Sequence, residues 1–237
     1  MRVATGNLRQ KVGAPNHLLK ALGAQFGQVN GWERPNYFAP EGFDDHAARS
    51  FRRGGWWQYS VEEAKAIREG VGLIDATAFT KHLVRGPGAT QFLDWFTCNK
   101  LPKVGRINLT YALTAHGTTR TEYTIVRIGE DDYYLISAGA WQAYDQDFLY
   151  KAIEDKEGEF GRINEEDVTS NWGVFALAGP KSRDVLASLI RDPEPETALS
   201  NKRFPWLSAK QIELGMCPVN AIRVAYTGEL GWELHHP

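Results

Sequence analysis

The sequence predicts an α+β fold of mixed and antiparallel sheets with packed helices, and three observations carry that prediction. Strand-like runs at 123–128 and 133–137 flank Gly129-Glu130-Asp131-Asp132, and runs at 211–214 and 219–226 flank Gly215-Met216-Cys217-Pro218, so strands come in hairpins. Only a few helical periodicities interrupt them, without the regular alternation that builds a doubly wound parallel sheet. The order strand, Gly-Pro turn, helix occurs twice, at Gly86-Pro87 and at Gly179-Pro180, as an internal structural repeat would give.

Residues 1–58 read as an irregular, aromatic-rich N-terminal segment, and residues 59–237 as one folded domain. Within 27–58, Gly27, Gly31, Pro35, Pro40, Gly42, Gly54 and Gly55 deny long helices, while Trp32, Tyr37, Phe38, Phe43, Phe51, Trp56 and Trp57 deny the composition of a solvated linker. Such a stretch packs onto a surface. Arg49, Arg52 and Arg53 beside Trp56 and Trp57 either grip an anion or stack on the aromatics in a structural corner.

The first helix is expected from Ser60, because Ser60-Val61-Glu62-Glu63 has the capping-box spacing. Val61, Ala64, Ile67 and Val71 recur on one face, and Gly70 or Gly72 ends the run. Residues 82–85 read as a strand, Gly86-Pro87-Gly88 as a turn, and Phe92, Leu93 and Phe96 as the buried face of a second helix. Strands follow at 109–113, 123–128 and 133–137, and Trp141, Tyr144, Phe148, Leu149 and Ala152 mark a third helix. The second round begins with the apolar run 174–178 and enters a helix carrying Val185, Leu186, Leu189 and Ile190. Asp192-Pro193-Glu194-Pro195-Glu196 reads as a solvated loop.

Composition removes several functions. At 237 residues and 43% hydrophobic the chain can bury a core without disulfides or metal, and a formal charge of -2 excludes a polybasic nucleic-acid binder. Cys98 and Cys217 have neither metal-ligand nor redox spacing. Apolar stretches of about five residues fall far short of the roughly 20 that cross a bilayer, and the first seven residues lack the apolar core of a secretory signal. The expectation is a soluble protein of the cytoplasm. His235 and His236 are adjacent, which points them to opposite faces of a strand, so ordinary surface or half-buried histidines are expected and no metal site. No Gly-x-Gly-x-x-Gly follows a strand, no phosphate loop is present, and no serine sits in a nucleophile elbow; neither a dinucleotide nor acyl-enzyme chemistry is expected.

Two acidic residues stand in restrictive settings. Glu122 precedes the run at 123–128, and Glu229 lies in Tyr226-Thr227-Gly228-Glu229-Leu230-Gly231-Trp232-Glu233. A carboxylate offers two acceptors in one plane, which suits the paired amine donors of a heterocycle such as a pterin. The alternative for Glu229 is a solvated turn carboxylate between two glycines.

Gly72-Leu73-Ile74-Asp75, Val84-Arg85-Gly86-Pro87-Gly88-Ala89, Leu177-Ala178-Gly179-Pro180 and the segment from Arg223 to Glu233 together resemble the folate-binding domain of the glycine-cleavage T-protein (aminomethyltransferase) superfamily. Within it, Gly31-Trp32-Glu33-Arg34-Pro35, Gly54-Gly55-Trp56-Trp57 and Phe204-Pro205-Trp206-Leu207 are most similar to the tetrahydrofolate half of dimethylglycine and sarcosine dehydrogenases. The resemblance runs from about Leu18 to the last residue, where the family continues into a further helix and a C-terminal barrel; the barrel is therefore expected to be absent here.

The resemblance implies tetrahydrofolate as the cofactor, with no flavin bound by this chain, and a flavoprotein dehydrogenase subunit as partner. That partner would oxidise an N-methyl amine to an iminium, whose one-carbon unit is captured as methylenetetrahydrofolate. It also implies the site: Glu122 as the catalytic carboxylate, and Glu229, Tyr226, Leu109, Tyr111 and Arg223 as folate-binding residues. A carboxylate can accept the proton of a folate nitrogen and offset cationic charge. The chain departs from the family at Thr121, where the T-protein has an acidic residue, at Glu122, commonly Asp, and at Leu109, where relatives place a tyrosine; Tyr111 lies on the same face two residues on. Other readings are a non-catalytic folate- or partner-binding subunit and a folate-dependent demethylase.

Overall fold

The computed structural model describes residues 11–44 and 50–237, which leaves Arg49 and the N-terminal sequence inspected for a signal outside the described residues. The chain opens with β1 (Lys11–Val12), α1 (Asn16–Ala21), β2 (Ala24–Val29), β3 (Trp32–Phe38) and α2 (Trp56–Glu69). Next come β4 (Gly72–Asp75), β5 (Thr80–Arg85), α3 (Ala89–Phe96), β6 (Ile107–Leu113), β7 (Thr119–Gly129), β8 (Asp132–Ser137), α4 (Gln142–Phe160) and β9 (Asn164–Asp167). The last part holds β10 (Gly173–Ala178), α5 (Ser182–Leu189), α6 (Pro195–Ala198), β11 (Ser208–Leu214), β12 (Cys217–Arg223) and β13 (Gly231–His236).

The strands form a three-stranded sheet, β1-β3-β2, and two five-stranded sheets, β6-β7-β8-β5-β9 and β11-β12-β13-β10-β4. Every pairing inside the five-stranded sheets is antiparallel, while β1 pairs β3 in parallel, so the expected mixture of sheets and helices is the one observed. Among the described residues no sheet closes into a barrel.

Three apolar layers hold these elements. The sheet β6-β7-β8-β5-β9, the first of the two five-stranded sheets, packs its outer face, through Tyr123, Ile125 and Leu135, on Phe92, Leu93 and Phe96 of α3 and Leu149 and Ile153 of α4. The second sheet packs Leu177, Val219, Ala221, Trp232 and Leu234 against Leu186 of α5 and the buried Phe204. Between the sheets, Ile107, Val126, Tyr134 and Ile136 meet Ile222. Each fully buried large apolar side chain contributes on the order of 1.5–3 kcal/mol, and Phe92→Ala would cost about 3–5 kcal/mol by opening a void between α3 and the sheet.

The repeated Gly-Pro turns have a common backbone cause. Gly86 and Gly179 both lie at positive φ, 118° and 123°. A side chain at Gly179 would meet the carbonyl oxygens of Ile67 and Gly70 at 2.4 and 2.5 Å, and one at Gly86 would meet that of Arg162 at 2.6 Å. Each glycine lets strand, turn and helix close onto a neighbouring segment of backbone.

The loop expected at 192–196 runs into α6 at Pro195, the strand expected at 219–226 ends at Arg223, and two further features of the N-terminal part differ from the sequence expectation. The stretch expected to be irregular contains the β2–β3 hairpin, turned by Asn30 and Gly31 at φ 49° and 82°, the Asn-Gly signature of a type I′ turn. Pro35 is accommodated beside the register shift between Gln25 and Phe26. Helix α2 starts at Trp56, four residues before Ser60, after Gly55, which lends no side-chain cap. Glu63 does not cap the helix: its Oε1 accepts the Phe38 N–H at 2.7 Å, so a tertiary donor at the end of β3 takes the carboxylate. Arg53 stacks on Trp57, 4.0 Å from the ring centroid, which is the structural-corner arrangement.

Candidate functional site

Alternation along β6 and β7 sorts the implicated residues onto one face. Thr110, Ala112, Thr121 and Tyr123 are buried, whereas Leu109, Tyr111 and Glu122 are exposed. Their face is the one that carries Ile107 and Val126 into the layer between the sheets. Tyr111 lies directly opposite Glu122 in the ladder, and Leu109 opposite Thr124. The Tyr111 hydroxyl donates to the Glu122 carboxylate, and this bond with the carboxylate charge raises the phenol pKa. Thr121 points the other way and donates to Asp145 Oδ2 at 3.3 Å.

The facing wall belongs to the second sheet. Glu233 sits between Ala176 and Ile222 in register, and Ile222 belongs to the inter-sheet layer, so Glu233 faces the first sheet across the space between the two sheets. Its side chain is 22% exposed, enough to reach a ligand. His235, two residues on and on the same face, is fully buried, with Nε2 3.4 Å from Glu233 Oε2 and Nδ1 2.9 Å from the Tyr134 hydroxyl. Burial is the main cause that lowers the His235 pKa, and burial likewise raises that of Tyr134, so a neutral imidazole meets a protonated phenol.

The signature turn between β12 and β13 forms the rim. Tyr226 is 99% exposed, and Gly228 turns the chain at φ 93°. Glu229 accepts from the Thr227 hydroxyl and from Arg68 of α2, the latter at 3.4 Å. The Thr227 bond, its own backbone N–H and Arg68 lower its pKa. The turn is anchored behind by Leu230, whose carbonyl accepts from the Gly179 N–H at 2.8 Å and the Ser182 hydroxyl at 3.1 Å.

Arg223 is not brought to this cleft. It neighbours Ile222 on β12 and so faces the opposite side, where it donates to the Phe204 carbonyl and to Asn201 Oδ1 and lies 5.6 Å from the Trp232 ring centroid. Burial, then the nearby Arg183, lowers its pKa, and its role in the fold is that of a clamp. Among the described residues, no group of three His, Cys, Asp or Glu side chains has the geometry to hold a metal ion. A cavity of about 290 Å³ opens between the sheets beside Trp172, Tyr134 and Asn220, and neither Glu122 nor Glu233 lines it.

Sequence reasoning gave no site role to Glu233, His235 or Lys81, and it expected His235 to be a surface or half-buried histidine, whereas it is fully buried. Period-2 alternation through 231–236 puts Glu233 and His235 on one face, but their partner Tyr134 is remote in sequence. Lys81 is fully buried and donates to the Thr77 carbonyl at 2.7 Å; burial lowers its pKa to about 8 despite the opposing charges of Asp167 and Asp75.

Comparison with known proteins places this architecture. The family model described as the GCVT N-terminal domain matches residues 16–237. Mitochondrial dimethylglycine dehydrogenase of Mus musculus is 34% identical over 231 residues, which is 98% of this chain and 26% of that protein. The mitochondrial pyruvate dehydrogenase phosphatase regulatory subunit of Mus musculus is 31% identical, over 92% of this chain and 25% of that protein. The chain therefore spans about a quarter of the length of these relatives. The crystal structure of the glycine cleavage system aminomethyltransferase T from Bartonella henselae superposes with a TM-score of 0.73 at 21% identity, over 96% of this chain and 54% of that one.

Proposed function

Because this chain belongs to the GCVT N-terminal domain family, we propose that it binds a reduced folate in the inter-sheet cleft and captures there the one-carbon unit of an oxidised N-methyl amine. The observation that carries this reading is that the inward faces of the two five-stranded sheets bear one carboxylate each, Glu122 on β7 and Glu233 on β13, with Tyr111 and Leu109 beside the first. When bound, tetrahydrofolate would supply the nucleophilic nitrogens, with methylenetetrahydrofolate and the released, demethylated amine as the products. Glu233 is fit to accept the ring donors of a pterin, and the exposed faces of Leu109 and Tyr111 offer it apolar contact. Glu122 is placed to take the proton that leaves the attacking nitrogen and to offset the iminium charge. Glu229 and Tyr226 would close the rim. The iminium would come from a flavoprotein dehydrogenase acting on a dimethylglycine- or sarcosine-like amine; the relative named dimethylglycine dehydrogenase supports that source.

Glu122→Gln tests the chemistry. With a flavoprotein supplying the iminium, folate affinity is expected to survive while methylenetetrahydrofolate forms about a hundredfold more slowly and free formaldehyde rises. An unchanged product ratio at an unchanged rate would remove Glu122 from the reaction. A second reading, a non-catalytic partner-binding role, is favoured by the relative named as a regulatory subunit. It expects no methylenetetrahydrofolate from the parent chain under any supply of iminium.

A further inference from the structure

We infer that His235 and Tyr134 form a buried positioning chain that holds the Glu233 carboxylate in place for the ligand of the cleft. This rests on the folate reading and adds two residues that touch no ligand themselves. The chain crosses the layer between the sheets: Tyr134 comes from β8, His235 and Glu233 from β13. The surroundings are apolar, with Ile107, Val126, Ile136 and Ile222 in the same layer. Burying an imidazole and a phenol there costs desolvation that apolar side chains of similar volume would avoid, so stability alone does not account for them.

Donor and acceptor counting fixes the order of the chain. The phenol keeps its proton and donates to Nδ1 at 2.9 Å, which leaves the single proton of a neutral imidazole on Nε2, facing Glu233 Oε2 at 3.4 Å. One carboxylate oxygen is thereby oriented by the protein and the other stays available. The imidazole is also held mechanically: the Tyr134 ring meets it edge-on, 5.4 Å between centroids at 85°, and Trp172 packs against Tyr134 at 6.4 Å. Supporting partners of this kind set the direction of a ligand-binding group.

The experiment titrates the full chain with 5-formyltetrahydrofolate by calorimetry and reads the His235 tautomer by 15N NMR. The parent is expected to bind and to show the Nε2-protonated tautomer. His235→Leu should weaken binding about tenfold and Tyr134→Phe several-fold, while His235→Gln, whose amide can donate to Glu233, should recover part of the loss. Trp172→Phe controls for packing: it perturbs Tyr134 but leaves the phenol, imidazole and carboxylate of the chain in place, so it should lower thermal stability and leave affinity within about twofold. An Nδ1-protonated parent imidazole, or folded His235→Leu and Tyr134→Phe variants that bind like the parent, would overturn the positioning chain alone. A parent with the expected tautomer that binds no folate would instead overturn the folate reading.

Discussion

Glu229 and Glu233 stand four residues apart, yet the rim and the floor of the cleft treat them in opposite ways. At the rim Glu229 accepts from Thr227, two residues away, and from the largely exposed Arg68, so its charge is already met by local and solvated groups. On the floor Glu233 lies on a strand facing the first sheet, and its support runs through His235 to Tyr134, 101 residues from His235 in sequence. A carboxylate met by its own turn has less to offer a ligand. One held from behind by a buried imidazole presents a free oxygen toward the space between the sheets.

Four measurements sharpen or break that contrast. The largest effect is expected from Lys81, a charge whose field reaches His235. Its pKa falls from 10.5 to about 8 in the folded protein, so between those values the unfolded chain holds more protons and stability rises with pH. Over the whole window the gain is up to roughly 3 kcal/mol, and Lys81→Met should flatten it in urea unfolding curves taken at pH 8 and pH 10. Next, Glu233→Gln should weaken binding of a reduced folate by about ten- to a hundredfold, the range of a lost hydrogen bond to a charged acceptor. Glu229→Gln should cost about threefold or less in the same titration; a larger loss than that of Glu233→Gln would reverse the roles of rim and floor. Smallest of all, Arg68→Ala should leave the urea unfolding midpoint nearly unchanged, because the arginine end of its ion pair is largely exposed.

The fold was legible where local chemistry decides it. Period-2 alternation and turn residues mark the hairpins β7–β8 and β11–β12, and the paired Gly-Pro turns mark the two rounds of strand and helix. The Asn30-Gly31 turn was equally legible, but the glycines and prolines around it draw the eye toward irregular structure. The start of α2 was not, since Gly55 carries no capping side chain and Glu63 is engaged by the remote Phe38 amide. The same division holds in the site. Alternation puts Tyr111 on the face of Leu109, whereas only the ladder register sets Tyr111 opposite Glu122. Arg223 sits within the signature segment, but strand alternation beside Ile222 turns it toward Trp232. Glu233 and His235 gain their meaning from a sheet-to-sheet contact that no local pattern encodes.

The most direct test of the folate reading is a crystal structure of the chain bound to 5-formyltetrahydrofolate. The pterin is expected between the two five-stranded sheets, with its ring donors on Glu233 and its opposite side toward Glu122 and Tyr111. A pterin lodged instead in the cavity beside Trp172 and Asn220, or no ordered folate at saturating concentration, would contradict it.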